Sequence, residues 1–282
     1  MNSIPNVICD DIVKAYHECG INVGDIVLTH SSLKSFGKVE GGAQTVIEAV
    51  EKAVGPTGTV VFPTFVQRDF DNAYKNWNKE TSPSDVGYVT EVFRLQPGSL
   101  RSDQATHSVA ARGRMAAELV NGHTDYGPRM GVFGDYCFAY SSPWQKMYLW
   151  KAKIVFAGVS TLYNTFKHFV EYSFVEETLL SISDINKRCD AMSELSVYDN
   201  PKRKWPKGVW PFHDATVTES ALEQAGILGH SRCGNSNLIC LGAVKYVDFV
   251  LEMFRKSPGQ FINDEFCNWL EKYTEKRDNN VY

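Results

Sequence analysis

Residues 24–32 read GDIVLTHSS and pass from a turn, through a short apolar run, to three polar side chains. The apolar and β-branched residues at positions 26–29 predict a buried strand, because such side chains pack well on a pleated surface. His30, Ser31 and Ser32 follow directly. The stretch therefore predicts a strand that delivers polar groups to its carboxyl end.

A helix and a second strand follow in the chain. From residue 43 to 54 the apolar side chains recur every three or four positions, which predicts an amphipathic helix. The sequence GPTG at 55–58 then predicts a turn into a strand at 59–62. Similar patterns predict helices at 10–20, 86–94, 109–120 and 243–255, a helix that carries His168, and strands at 153–159 and 238–241.

Four segments lack this regularity. The long polar and aromatic stretch 64–85 predicts a functional loop or a small insertion, and 121–142 is rich in turn residues. Residues 181–210 mix charge, proline and tryptophan, which favours a β-rich or irregular excursion. The polar tail from residue 272 is expected to fray.

Composition excludes several classes of protein. The 282 residues carry 29 Lys and Arg against 33 Asp and Glu, and this net charge of −4 argues against a protein that neutralises nucleic-acid phosphates. With 43% hydrophobic residues, a sizeable core is expected. A leader and a membrane span are not indicated, so we expect a soluble, cytoplasmic protein. Seven scattered cysteines, without a C-x-x-C pair, fit reduced thiols and no zinc site.

His168 and Glu171 form the sharpest chemical pair in the sequence. Their i, i+3 spacing would place them on one helical face, where the carboxylate would orient the imidazole and favour its charged form. Such a pair suits proton abstraction from an amine or a hydroxyl. On local grounds alone, a partly exposed pair of little energetic weight is the more common arrangement.

Two further segments suggest anion binding. Residues 30–35, HSSLKS, could hold a phosphate through hydroxyls, Lys34 and backbone N–H groups, although such a turn more often caps a helix. Arg101 would suit a phosphate, but a pair with Asp103 that fixes the loop is equally compatible with the sequence. The phosphate-binding motif G-x-x-x-x-G-K-[ST] and the nucleophile motif G-x-S-x-G are both absent.

Taken in order, these segments resemble the aminoglycoside 3-N-acetyltransferase family. The resemblance is strongest from about residue 23 to 171 and fades from residue 173. Its pieces are GDIV at 24–27, HSSL at 30–33, GGA at 41–43, GTVVFPT at 58–64, Arg101-Ser102, Ser108 with Ala110-Ala111 and Gly113, Ser142-Pro143, Gly158-Val159, Asn164-Thr165, and His168 with Glu171.

The resemblance implies a fold and an activity. The fold would be α/β, with residues 1–282 as a single domain whose central mixed sheet is flanked by helices, about 1–22 forming an N-terminal helix. A division into two domains near Ser181 stays open. The activity would be transfer of an acetyl group from acetyl-CoA to an amine of an amino sugar, with no metal and no nucleic-acid or membrane partner, in a possible homodimer.

The resemblance also implies roles for single residues. His168 would be the general base and Glu171 would orient and charge it. Acetyl-CoA would be bound by a wider set that consists of His30, Ser31, Ser32, Leu33, Lys34, Arg101, Ser108, Val109 and Thr165. Thr165 would also stabilise the oxyanion of the thioester.

Two departures from the family pattern bear on the acceptor. Gln104 and Ala105 stand where many members have His-Pro, and Leu162 stands where many have an aspartate. A polycationic aminoglycoside needs an acidic pocket, which could come from Asp69, Asp71, Asp125, Asp135, Glu176 and Glu177. The alternatives are therefore an aminoglycoside, a nucleotide-linked amino sugar, and a CoA-binding protein without turnover.

Overall fold

A computed structural model describes residues 6–196 and 209–274 of the chain. Its strands are β1 (Asn6–Val7), β2 (Ile26–Ser31), β3 (Lys38–Val39), β4 (Thr59–Pro63), β5 (Leu100–Arg101), β6 (Val109–Gly113), β7 (Lys153–Ala157), β8 (Gly229–Cys233) and β9 (Ser236–Gly242). Its α-helices are α1 (Cys9–Glu18), α2 (Ala43–Val54), α3 (Phe70–Asn76), α4 (Tyr88–Leu95), α5 (Ala116–Val120), α6 (Pro143–Leu149), α7 (Phe166–Ser181), α8 (Ile185–Glu194), α9 (Ala215–Gln224), α10 (Ala243–Lys256), α11 (Pro258–Phe261) and α12 (Asp264–Tyr273).

Seven strands form a mixed sheet in the order β5-β6-β4-β2-β7-β9-β8. In its centre, β2 runs parallel to both β4 and β7, whereas β6 and β9 pair antiparallel on either side. The predicted mixed α/β sheet is thus confirmed. Because parallel strands end at the same edge of a sheet, the residues that follow β2, β4 and β7 meet there.

The sheet separates two cores. Alternate residues of a strand point to opposite faces, so Leu28 belongs to one core cluster and Val27 to the other. The first cluster includes apolar residues of α6, α7 and α10, and the second those of α1, α2 and α4. Helices therefore cover both faces, as the fold prediction required.

The sheet also bears on the number of domains. Strands β8 and β9 follow Ser181 in the chain, yet β9 pairs with β7 in the same sheet as β2. This pairing supports the proposal of one domain and argues against a division near Ser181.

The prediction of a helix over residues 109–120 is wrong for its first half. Residues Val109–Gly113 form β6, which pairs with β4, and the helix begins only at Ala116. The alanines fit the helical period, but their small side chains also allow a fully buried strand, and sheet pairing overrides the local preference. Gly113 lies so close to the backbone of β4 that an added Cβ would overlap the Gly58 carbonyl.

Three irregular segments contain helices that the sequence pattern did not reveal. Helix α8 lies in the stretch expected to be β-rich or irregular, where the Asp184 carboxylate accepts the backbone N–H of Asn186 at 2.8 Å. Helix α3 lies within the loop 64–85. The expected fraying does not begin at residue 272, because Tyr273 still belongs to α12 and donates to Glu194 at 2.7 Å. Residues 197–208 and 275–282 lie outside the described residues.

Gly158, directly after β7, is required by both its backbone and its packing. Its φ is +70°, and an added Cβ would overlap the side chain of Ser35. We predict that Gly158→Ala lowers the free energy of unfolding by about 2–4 kcal/mol, the sum of backbone strain and overpacking. Each kcal/mol corresponds to about 2–4 °C in Tm for a chain of this size, so scanning calorimetry would resolve the change.

Gly226 provides the matched control for this prediction. Its φ is +66°, but nothing lies within 4 Å of an added Cβ. Gly226→Ala should therefore show the backbone strain alone, about 1–2 kcal/mol. Equal losses of stability in the two variants would contradict the packing argument at Gly158.

Candidate active site

A cavity of about 560 Å³ opens at the edge where β2, β4 and β7 end. The last residues of β2 and β4 and the segments that follow β2, β4 and β7 line it, within positions 30–32, 63–70 and 159–168. Gly87, His107 and Phe133 complete parts of the wall. The topology of the sheet thus brings together side chains that are far apart in the sequence.

His168 and Glu171 meet as their helical spacing predicted. Nδ1 of His168 lies 2.8 Å from Oε2 of Glu171, whose side chain is only 1% exposed. Because an ionised carboxylate can only accept hydrogen bonds, Nδ1 carries the hydrogen and Nε2 is left as the ring nitrogen for a ligand. The imidazole lines the cavity and packs edge-on against Phe133, with 4.5 Å between ring centroids.

Burial and neighbouring groups set the protonation states of His168 and Glu171. Burial lowers the pKa of His168 and outweighs the neighbouring carboxylate, which raises it. Burial alone would raise the pKa of Glu171, but the charge and hydrogen bond of His168, with the hydrogen bond of His213, hold it at about 2. Near neutrality the site therefore contains a neutral imidazole bound to an ionised carboxylate.

Glu171 has two further partners that the sequence analysis did not assign. Nδ1 of His213 lies 3.1 Å from Oε1, and the indole N–H of Trp210 donates to Oε2 over 3.1 Å. Both residues follow Glu171 by about 40 positions and belong to the segment between α8 and α9. Helical spacing carries no signal for such contacts, because only the tertiary fold brings this segment to α7.

The strand end at β2 supplies polar atoms that lack protein partners. Nε2 of His30 and Oγ of Ser31 are buried without a hydrogen-bond partner among the described residues. The His30 ring stacks on Phe156, with 5.2 Å between ring centroids, and burial lowers its pKa to about 3, so the ring is neutral. Buried polar atoms are nearly always paired, so these two atoms are available to a ligand or to water.

Other residues expected to bind the cofactor divide into two groups. Ser32 and Thr165 line the cavity together with His30 and Ser31. Leu33 and Lys34 lie in the 3-10 helix Leu33–Phe36, next to the lining residues but not among them. The structure thus brings four of the nine expected residues to the cavity beside His168.

Arg101, Ser108 and Val109 do not reach the cavity. The Arg101 guanidinium donates to the carbonyl oxygens of Thr64, Lys79 and Ser82 and lies 4.4 Å over the Trp77 ring. Burial lowers its pKa to about 9. Its N–H groups thus hold the loop 64–85, and the pair with Asp103 that the sequence left open is not among its contacts, since the Asp103 carboxylate accepts the Trp77 indole N–H.

Ser108 and Val109 bind residues that directly follow the strands β4 and β5. Oγ of Ser108 accepts the Thr64 hydroxyl over 3.4 Å, and the Val109 backbone N–H donates to the Ser102 hydroxyl over 3.0 Å. Arg101, Ser108 and Val109 are thus not among the residues that line the cavity, and their role in binding CoA stays a prediction.

His107 is a second imidazole on the cavity wall. Its centroid lies 6.3 Å from that of His168, and its Nδ1 lies 3.0 Å from the Thr106 hydroxyl. Burial lowers its pKa well below the usual value, so it is neutral. Gln104 accepts the backbone N–H of Thr106 at 2.7 Å and so fixes this loop.

The charged lining of the cavity does not supply the expected acidic pocket. Arg68, Lys167 and Asp85 line it, and the Asp85 carboxylate already accepts the backbone N–H groups of Gln67 and Arg68. Glu176 binds Arg129 instead, at 3.0 Å, and Glu177 binds Arg255. Among the acids considered as compensation, none whose side chain is described lines the cavity; Asp71 lies outside the described side chains.

Within 6–196 and 209–274, no group of three or more His, Cys, Asp and Glu side chains is arranged to hold a metal ion. In these ranges, none of the helices combines the length and the apolar character needed to cross a bilayer.

The chain is similar in sequence to a known acetyltransferase. The aminoglycoside N(3)-acetyltransferase III of Salmonella is 35% identical in a match of 128 residues, which covers 40% of this chain and 45% of that protein. The matched part of the chain thus spans about half the length of this curated relative.

Solved structures match over nearly the whole chain. The apoenzyme of aminoglycoside acetyltransferase AAC(3)-IVa matches with a TM-score of 0.69 and 18% identity, over 97% of this chain and all of that one. AAC-IIIb in a binary complex with CoASH matches with a TM-score of 0.67 and 17% identity, over 92% and 99% of the two chains. These likenesses establish the fold.

The family model described as aminoglycoside 3-N-acetyltransferase matches residues 28–255, which is most of the chain. This range contains the polar end of β2, the His168–Glu171 pair, and the segment that carries Trp210 and His213. The chain belongs to the aminoglycoside 3-N-acetyltransferase family.

Proposed function

We propose that the protein is an acetyl-CoA-dependent N-acetyltransferase that acts on an amine of an amino sugar. The observation that carries this proposal is the His168 imidazole, which binds a buried carboxylate through Nδ1 and lines a cavity of about 560 Å³. Family membership supports the same reaction.

His168 would remove the proton that keeps the acceptor unreactive. An amino-sugar ammonium, with a pKa of about 8–10, is not nucleophilic until it loses a proton. Nε2 of His168 accepts that proton, and the imidazolium that forms is stabilised by Glu171, 2.8 Å from Nδ1. The neutral resting state of His168 favours this role, because only the neutral ring can accept a proton.

The cavity wall fits the acyl donor. Acetyl-CoA supplies an activated acetyl group, whose carbonyl carbon bonds to the free amine while its bond to sulfur breaks, and the leaving thiolate takes up the proton that the nitrogen loses as it becomes an amide. Ser31, with its unpartnered buried hydroxyl, His30 and Ser32 would bind the pantetheine arm. Thr165 lines the same wall at the start of α7 and would donate to the oxyanion.

The acceptor has two candidates. Family membership and the printed names of the relatives favour an aminoglycoside. A nucleotide-linked amino sugar is favoured by the lining, which includes two cations, Arg68 and Lys167, and one carboxylate, Asp85, that two backbone N–H groups already bind. Such a wall attracts an anion more than a polycation.

Release of CoA thiol from acetyl-CoA tests the reaction and the acceptor together. Purified protein would be assayed with aminoglycosides, simple amino sugars and nucleotide-linked amino sugars. We expect turnover with at least one amino sugar. Binding of acetyl-CoA without thiol release across the panel would contradict the proposal and favour the non-catalytic alternative.

Replacing Lys167 tests whether this cationic side chain of the cavity contacts the acceptor or acetyl-CoA. If Lys167 contacts an anionic acceptor, Lys167→Met should raise KM for that acceptor several-fold and leave KM for acetyl-CoA unchanged. A rise in KM for acetyl-CoA alone would assign Lys167 to the CoA phosphates. Lys14→Met, on the exposed face of α1 beside Glu18, is the matched control.

Two predictions concern the protein as a whole. A homodimer and a cytoplasmic location stay predictions. Light scattering from the purified protein would test the first, because the mass of a dimer is twice that of the chain. Fractionation of the source cells would test the second.

A further inference from the structure

We propose that His213 and Trp210 are positioning residues that hold the Glu171 carboxylate ionised and fixed behind His168, so that its charge is shared among three donors. The proposal rests on the proposed function in that it assigns His168 as the base. Neither residue is among those that line the cavity, and their effect would pass through Glu171.

The geometry around Glu171 supports this assignment. Oε2 accepts from His168 at 2.8 Å and from the Trp210 indole at 3.1 Å, while Oε1 accepts from His213 at 3.1 Å. The side chains of Glu171 and His213 are 1% and 0% exposed, and Trp210 is 1% exposed. Since water is excluded, these three donors replace the hydration that an ionised carboxylate requires.

Packing fixes the two additional donors in place. The His213 ring packs edge-on against Phe254 of α10, with 5.2 Å between ring centroids, and the Trp210 ring packs in the same manner against Tyr172, at 5.0 Å. Asn263 donates to the Trp210 carbonyl over 2.7 Å. Contacts with α10 and with Asn263 therefore hold the two donors from outside α7, which gives Glu171 a rigid support from behind.

The sign of the expected effect follows from the charge balance. When His168 is neutral, its pair with Glu171 has a net negative charge, and when His168 is protonated the pair is neutral. Removing a donor to the carboxylate therefore destabilises the first state more than the second. Loss of the His213 donor should thus raise the pKa of His168. The other titratable groups that face the pair are His107 and Lys167 toward His168 and Tyr246 toward Glu171.

Two substitutions of His213 separate the donor from the ring. His213→Phe keeps an aromatic ring against Phe254 but removes the N–H, whereas His213→Asn places an amide N–H near the position of Nδ1. We expect His213→Phe to raise the pKa of His168 by about 0.5–1 unit, and His213→Asn to restore most of the wild-type value.

The measurement is a nitrogen NMR titration of the imidazole in full-length protein, with the His168 signal identified by its loss in His168→Ala. This reads the pKa without turnover, so it stands even if the proposed reaction is wrong. Trp210→Phe should raise the pKa as well. Trp269→Phe, which removes an indole bond of 3.1 Å to the Ala191 carbonyl, is the matched control and should not.

A second readout is the acidic limb of the pH profile of kcat/KM, which should move to higher pH in His213→Phe. A merely structural role would reduce the amount of active protein without moving that limb. An unchanged pKa of His168 in His213→Phe, or equal shifts in His213→Phe and His213→Asn, would overturn the proposal.

Discussion

Replacing His168 with alanine should lower kcat for acetyl transfer by about 10²–10⁴-fold, the usual contribution of a positioned general base. The loss is chemical, because among the described lining residues His168 alone is bound to a buried carboxylate through one ring nitrogen and presents the other to the ligand. His107 cannot substitute well, since its pKa is held well below that of an ordinary histidine by burial.

The measurement compares steady-state turnover with binding of acetyl-CoA by calorimetry. Binding should stay within a few-fold of the wild type, because the hydroxyls of the β2 end are unaffected. His168→Gln is a second variant, which retains a donor toward Glu171 and cannot accept the proton; it should lose turnover equally. The exposed His230, paired with Glu223 at 2.8 Å, provides a control as His230→Ala. Wild-type turnover in His168→Gln would contradict the assignment of the base.

The reactive pair could be predicted from the sequence because its geometry is local. Residues three apart on a helix are neighbours whatever the rest of the chain does. The contact between His168 and Glu171 therefore requires only that α7 forms. The same holds for the β2 end, where a buried strand followed by polar residues places His30 and Ser31 at the sheet edge. For these residues, the resemblance to the family and the residue pattern predicted the same site.

The remainder of the site depends on contacts that the sequence does not encode locally. Arg101 has the chemistry of a phosphate ligand, but the fold turns it toward three carbonyl oxygens of the loop 64–85. Trp210 and His213 reach Glu171 only because the segment before α9 packs on α7. The error at residues 109–113 has the same origin, since pairing with β4, and not the period of the alanines, decides the structure of β6.

Glu171→Gln should lower kcat by about 10²–10⁴-fold, in line with amides that replace the carboxylate partner of a catalytic histidine. The amide oxygen can accept from His168 and Trp210, but its NH₂ group would then face Nδ1 of His213, which donates to the carboxylate in the wild type. Either His213 changes tautomer or the new amide turns, and in the second case the orientation of His168 is lost. Glu177→Gln, on the same helix, is the control for a general effect on α7, because the Glu177 carboxylate binds Arg255 and not His168.

The pH profile gives this variant a signature of its own. The Glu171 carboxylate raises the pKa of His168 through its charge and its hydrogen bond, so its loss should lower that pKa and move the acidic limb of kcat/KM to lower pH. His213→Phe is expected to move the same limb in the opposite direction, because it leaves the charge and removes a donor that disperses it. Glu171→Gln and His213→Phe are thus expected to move the acidic limb in opposite directions. Movement to lower pH in both would overturn the role given to His213, and movement to higher pH in both would show that the charge of Glu171 does not raise the pKa of the base.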